Sequence, residues 1–194
     1  MSEAERGKYE RLWADRRYRH HSPGLHHVDR LCKLFQPTAG QTLTDYGCGP
    51  GLAALEFQRR GLDVLALDFA ANSLAPKVQR ALGHTLRFRR EDLAKLHDDV
   101  PSVDYCFCTD VMEHLLLEEV DGVIEAIAHR TGLGGLFAIA TRPDSCGRLI
   151  GDTLHLTVRP ASWWQERLRQ RFEVEMRAHR GSAVFVVRRR DCVP

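Results

Sequence analysis

The stretch DYGCGPG, Asp45 to Gly51, sets Gly47, Gly49 and Gly51 directly behind an aspartate and an apolar run. Glycine is costly in backbone entropy, so three in five positions mark either a sharp turn or a backbone that a ligand must approach closely. A second acid, Asp68, ends the next apolar run, LALDF, seventeen residues past Gly51. At that spacing a carboxylate can accept hydrogen bonds from both hydroxyls of a ribose, while the helix that follows the glycines favours negative charge. A third group lies in DVMEHL, which supplies Asp110, Glu113 and His114, and a fourth in LHLTVRP, which supplies His155. An imidazole titrates near neutral pH and suits a general base. Two acids and two histidines could also hold a divalent ion. The structural alternatives are plain: the glycines only turn the chain, the acids cap strand and helix ends, Glu113 caps the following helix and His114 packs.

The type of nucleotide turns on Asp45. GPGLAA, Gly49 to Ala54, fits the loose dinucleotide pattern G-x-G-x-x-A, a weak signal alone. Asp45, however, stands two residues before the first glycine, still on the strand. A carboxylate there lies beneath the loop, badly placed beside a pyrophosphate and well placed for a cationic amino-acid tail.

Elements that position these groups follow from hydrophobic periodicity. Helical spacing covers about residues 4–20 (Tyr9, Leu12, Trp13, Tyr18), is broken at HSPG and resumes from His26 to Phe35. QTLTDY reads as a strand, LAALEFQRRG as a helix closed by Gly61, and DVLALDF as a strand. NSLAPKVQRALG reads as a helix capped by Asn72 or Ser73, and HTLRFRR as a strand. SVDYCFCTD is a buried strand, LEEVDGVIEAIAHRTG a helix, GGLFAIAT a further strand, and RPASWWQERLRQRF a helix with Pro160 near its start. FEVEMRAH, a turn at RG, and SAVFVVRR close the chain as an antiparallel hairpin. Apolar strands alternating with helices predict a doubly wound α/β fold, a mostly parallel sheet covered on both faces. Ligands then bind beyond the carboxyl ends of the strands, where the glycines lie.

The pattern DYGCGPG…LALDF…REDL…DYCFCTDVMEHL…GGLFAIAT resembles the class I S-adenosylmethionine-dependent methyltransferases over about residues 40–141. The resemblance implies a seven-stranded sheet with a reversed C-terminal hairpin, S-adenosyl-L-methionine as cofactor, and a catalytic core over 39–194. It implies that Asp45, Gly47, Gly49 and Gly51 hold the methionine half of the cofactor. Asp68 would then hold the ribose, Phe69 flank the adenine, and Asp92 with Leu93 read the adenine edge, with Glu91 the neighbouring alternative. Cys108, Thr109 and Asp110 would line the cofactor at the end of the fourth strand. YERLWADRRYRHHSPG is similar to N-terminal segments of some methyltransferases acting on small molecules and glycans, which implies a lid over 1–38; an ordinary helix packed on the sheet edge is the alternative.

Methyl transfer from a sulfonium needs mainly alignment, with a base only where the acceptor must lose a proton. His114, His155 and Glu113 are the candidates, His114 ahead of His155, and no metal is expected. Asp110, Glu113, His114 and His155 also resemble the metal-binding set of small-RNA 2′-O-methyltransferases, though Asp110 stands where that family has a glutamate. His20, His21, His26 and His27 are expected to be surface histidines. The adjacent tryptophans Trp163 and Trp164 are expected to serve core and interface packing; that one of them faces the acceptor is the alternative, because neighbours on a helix lie about 100° apart.

Composition narrows the function. The chain has 194 residues, 43% of them hydrophobic and 28% charged, enough for one domain with its own core. A formal net charge of +2 gives no bulk attraction for RNA or for an anionic membrane, even with basic ends. Six cysteines without a CxxC pair suit reduced thiols in a cytoplasmic protein, and no apolar run of about 18 residues suggests a membrane span. The expected function is methylation of an oxygen, less readily a nitrogen, of a small molecule or glycan precursor. The alternatives are RNA 2′-O-methylation, a nicotinamide-dependent oxidoreductase and a nucleotide-binding module without catalysis.

Overall fold

In the computed structural model, residues 3–19 and 21–190 are described; His20 and Cys192 lie outside them. Seven strands form one sheet, β1 (Thr42–Tyr46), β2 (Asp63–Asp68), β3 (Leu86–Arg90), β4 (Val103–Thr109), β5 (Thr131–Ala140), β6 (Phe172–His179) and β7 (Ser182–Arg189). Their spatial order is β3-β2-β1-β4-β5-β7-β6. The first five pair in parallel, and β7 runs antiparallel to both β5 and β6. The order reverses between β1 and β4, whose register pairs Asp45 with Phe107 and Tyr46 with Cys108. This reversal opens the crevice in which doubly wound folds bind ligands.

The helices are α1 (Glu3–Ala14), α2 (Val28–Phe35), α3 (Leu52–Arg59), α4 (Pro76–Gln79), α5 (Val120–His129) and α6 (Ala161–Arg169). Both faces of the sheet are covered. Cys106, Cys108, Phe137 and Phe185 pack on α5 and α6 through Val123, Ile127, Trp164 and Leu168. Leu43, Val64, Tyr105 and Phe107 pack on α2 and α3 through Leu31 and Phe57 on the opposite face. Alternation along β4 therefore sends 105 and 107 to one side and 106 and 108 to the other. A third cluster, Tyr9, Leu12, Trp13 and Tyr18 against Ala70 and Leu154, roofs the strand ends.

Two elements differ from expectation, and the tryptophans of α6 follow the packing reading. The first helix stops at Ala14, where Asp15 folds the chain back by taking the backbone N–H and guanidinium of Arg17. The helix expected over NSLAPKVQRALG is only α4. Pro76 occupies its first turn and forces Ala75 into an extended conformation (φ −66°, ψ 146°). Neither expected cap caps it: Asn72 instead donates to the Glu10 carbonyl on α1 at 2.8 Å, and Ser73 is buried. Neither tryptophan of α6 faces a cleft. Trp164 is fully buried in the core, and Trp163 lies between the guanidinium groups of Arg167 and Arg159.

Candidate functional site

The glycine loop is held in a left-handed path, with φ of 73° at Gly47 and 53° at Gly49. Side chains are also excluded by what surrounds it: a Cβ on Gly47 would collide with Val111, and one on Gly49 would press at 3.0 Å on the Trp13 indole. The amides of Gly47 and Cys48 both donate to the Leu67 carbonyl at 2.8 Å, which folds the loop back onto the end of β2. There Asp68 accepts from Gly49 N through Oδ2 (2.8 Å) and from Ala70 N through Oδ1 (2.9 Å). Each oxygen keeps a lone pair for a further donor. Burial raises Asp68 to about 6 despite these amides.

Asp45 lies beneath the loop, 2% exposed, with no hydrogen-bond partner for Oδ2. Burial, and after it the charge of Asp68, raise its carboxyl to about 7. A buried carboxylate with an idle oxygen is costly unless a cation arrives.

Two chambers meet over the loop. One is lined by Asp68, Phe69, Glu91, Asp92 and Leu93. The other is lined by Asp45, Thr109, Arg142, Asp144 and His155. Gly47, Gly49, Asp110, His114, Trp13 and Tyr18 border both. Of the acid pair after β3, Glu91 is engaged by Arg89 and by His97 (2.7 Å), while Asp92 accepts from Ala94 N at 3.0 Å, starting the 3-10 turn Leu93–Lys95.

The histidines meet at the rim. His114 and His155 pack edge to face with centroids 4.8 Å apart. His155 Nδ1 lies 2.7 Å from the Arg142 carbonyl, which can only accept, so in the neutral ring Nδ1 carries the proton and Nε2 the lone pair. His114 is half-buried and neutral, its pKa lowered to about 4 by desolvation and by the neighbouring His155. Its Nδ1 sits between the Tyr9 hydroxyl (2.6 Å) and the Leu154 carbonyl (3.0 Å).

Two expected site residues fall elsewhere. Cys108 does not line either chamber. Strand alternation turns it into the α5/α6 core, whereas Thr109 and Asp110 reach the site. Glu113 lines neither chamber either. It is fully buried, Oε1 accepts from Ala140 N at 3.0 Å, and it ties the turn after β4 to the end of β5 rather than capping α5. Burial, and then the charge of Asp110, push Glu113 upward; burial pushes Asp110 upward, with Arg142 opposing. Its Oε2 has no partner, and Glu113, His114 and His155 each offer a donor atom within 4.8 Å of the others.

The sequence reading did not place Tyr9, Trp13, Tyr18 or Arg142 in the site. Arg142 was findable, because it closely follows β5 as Asp110 follows β4. The three aromatics had helical spacing but no visible target.

Residues 44–135, from β1 into β5, match the family described as a methyltransferase domain. The ubiquinone biosynthesis O-methyltransferase of Sinorhizobium medicae (strain WSM419) is 32% identical over 117 residues, 59% of this chain and 46% of that protein. That of Sinorhizobium fredii (strain NBRC 101917 / NGR234) is 30% identical over 58% of this chain and 48% of its own length. These matches liken residues 44–135 to the S-adenosylmethionine-dependent methyltransferases.

The chain spans about half the length of these curated relatives. Among solved structures, the complex of DhpI with S-adenosylhomocysteine shares the fold at a TM-score of 0.74 and 17% identity, over 98% of this chain and 100% of that one. Magnesium protoporphyrin IX methyltransferase from Synechocystis PCC 6803 shares it at 0.67 and 20%, over 97% and 95%. The residues at the site fit S-adenosylmethionine on this chain's own terms. The idle Oδ2 of Asp45 would suit an ammonium, the glycine backbone would leave room for a chain to pass, and each oxygen of Asp68 could accept from a hydroxyl. Among the described residues no helix is long and apolar enough to cross a membrane.

Proposed function

We propose that the chain transfers the cofactor's methyl group to an oxygen of a small molecule, with His155 as general base. Bound S-adenosylmethionine supplies an activated methyl on sulfur. Asp45 would bind its ammonium, Asp68 its ribose hydroxyls, and Phe69, Asp92 and Leu93 would enclose its adenine. Glycan precursors remain within this acceptor class, and the name carried by the relatives favours oxygen over nitrogen.

One observation carries the assignment of the base. His155 is fixed through Nδ1 to the Arg142 carbonyl, so a lone pair on Nε2 belongs to a residue that borders the chamber. A hydroxyl placed between that nitrogen and the methyl would lose its proton as the O–C bond forms. Thr109 and Asp110, at the end of β4, border the same space. The α1 segment supports a lid: Tyr9, Trp13 and Tyr18 border the adenosine chamber, and Lys8 ties α1 to Asp152 at 3.0 Å.

A second reading has a specific observation behind it. The donor atoms of Glu113, His114 and His155 lie close enough for one divalent ion to draw them together, and Glu113 Oε2 is idle. Such an ion would act as a Lewis acid on the acceptor hydroxyl. The experiment is incubation of the protein with methyl-labelled cofactor and a panel of phenolic and sugar hydroxyl acceptors, with and without chelator. Label on oxygen that persists under chelation is the expected result. Label on nitrogen, or on no acceptor at all, overturns the proposal.

A further inference from the structure

We propose that Tyr9 is a positioning residue that sets the tautomer of His114, so that docking of α1 over the cofactor chamber completes the acceptor site. The two residues are 105 positions apart, and their contact is the shortest hydrogen bond reaching either rim histidine, 2.6 Å from Tyr9 Oη to His114 Nδ1. The same nitrogen lies 3.0 Å from the Leu154 carbonyl. One imidazole nitrogen cannot serve both as acceptor and as donor. If Nδ1 carries a proton, it donates to Leu154 and Nε2 bears a lone pair. If the Tyr9 hydroxyl donates into Nδ1, the proton moves to Nε2.

The geometry favours the second state while α1 is docked. The contact to the phenol is shorter than that to the carbonyl by 0.4 Å, and an O–H donor at this distance is in the strong range. Tyr9 is buried, and burial holds its phenol well above its usual pKa, so it keeps the proton it donates. Its ring is fixed edge-on against Phe69 at 5.0 Å and against His114 at 5.6 Å. Tyr9 thus bridges the adenosine wall and the rim. With α1 lifted, Nδ1 loses the phenol and keeps the Leu154 carbonyl at 3.0 Å, which would draw the proton back to Nδ1.

The consequence rests on the reading of His155 as base. With Tyr9 docked, the rim offers one imidazole N–H, on His114, and one bare imidazole nitrogen, on His155. A hydroxyl is bound by such a pair in one orientation: its lone pair takes the His114 N–H and its proton faces His155. Without Tyr9 both imidazoles present lone pairs, and the hydroxyl oxygen loses its donor.

The tautomer can be measured without any acceptor, so its outcome is separate from the fate of the proposed reaction. Protein labelled with 15N-histidine is studied by long-range 1H–15N correlation, with His114 assigned by its loss in His114→Asn. The full-length wild type should show His114 protonated on Nε2, and Tyr9→Phe, which keeps the ring and drops the hydroxyl, should show it protonated on Nδ1. A wild-type His114 protonated on Nδ1 overturns the proposal without reference to any variant. So does an unchanged tautomer in Tyr9→Phe. In turnover, Tyr9→Phe should lower kcat about tenfold, the scale of one lost hydrogen bond, with S-adenosylhomocysteine affinity within about twofold. A loss carried by cofactor affinity instead would assign Tyr9 to packing and reject the positioning role.

Discussion

Asp68 Oδ2 accepts the Gly49 amide at 2.8 Å, so the acid that ends β2 also braces the glycine loop that follows β1. The same carboxylate takes the Ala70 amide through its other oxygen. Its proposed binding role and its structural role are therefore inseparable in a simple deletion. Asp68→Ala removes a partner from two buried amides, each worth about 1–3 kcal/mol when orphaned. It should lower the melting temperature of the cofactor-free protein by several degrees, at about 2–4 °C per kcal/mol for a chain of this size. It should also weaken S-adenosylhomocysteine at least tenfold by calorimetry. A variant that melts like wild type would show that the brace contributes nothing.

The pH dependence of Asp45 has a definite sign. In the unfolded chain its carboxyl ionises near 3.8; burial, and then the charge of Asp68, raise it to about 7 in the folded, cofactor-free protein. Between these values the folded state binds the extra proton, so the contribution of Asp45 to stability is full below about 4 and is lost as pH rises toward 7. Asp68, raised to about 6, acts in the same direction over a narrower window. Cofactor binding runs the other way, because only the ionised Asp45 pairs with an ammonium. S-adenosylhomocysteine should bind about tenfold more weakly at pH 6 than at pH 8, following the ionised fraction of a group with that pKa. Asp45→Asn should flatten the profile; a wild-type affinity already flat from 6 to 8 would separate Asp45 from the cofactor.

How far the sequence could reveal this site depends on the range of each contact. The loop from Asp45 to Gly51 and the acid at Asp68 were readable because glycine types, strand ends and a fixed βαβ spacing are local signals. Phe69, Asp92, Leu93, Thr109 and Asp110, which the resemblance named, border the two chambers. Cys108 went wrong because a residue-by-residue transfer ignored the two-residue period of β4, which gives Thr109 to the site and Cys108 to the core. The helix after β2 was overextended because Pro76 and the extended Ala75 outweighed a favourable run of helix formers. The roof was legible only as the lid that the resemblance implied; its contacts were not, because Tyr9 meets His114 105 positions on and Trp13 meets Gly49 36 positions on, and no local pattern encodes either.

The reassignment of Cys108 gives its own test. Cys108→Ala removes a buried sulfur from the cluster with Phe137, Phe185 and Ile127, costing about 1 kcal/mol and lowering the melting temperature by a few degrees. Affinity for S-adenosylhomocysteine should stay within about twofold. A loss of tenfold or more with an unchanged melt would return Cys108 to the cofactor wall.

The proposed chemistry at the rim turns on His155. Its Nδ1 is committed to the Arg142 carbonyl at 2.7 Å, so a substitution removes one bare nitrogen and leaves the adenosine chamber, which His155 does not border, intact. As a base it should contribute roughly 10²–10⁴-fold to kcat, and His155→Ala should lose about that much with little change in cofactor affinity. A metal ligand would show the same loss, so the variant alone cannot separate the two roles. Chelation does. With a base and no ion, EDTA should leave the wild-type rate within about twofold, since nothing in proton transfer to Nε2 needs a cation. Collapse of the rate in EDTA, restored by magnesium or manganese, would instead make Glu113 Oε2, His114 and His155 a ligand set, and Asp110 its candidate fourth member. If His155→Ala keeps near-full kcat and EDTA has no effect, alignment of acceptor, methyl and sulfur carries the rate, and the rim histidines only shape the chamber.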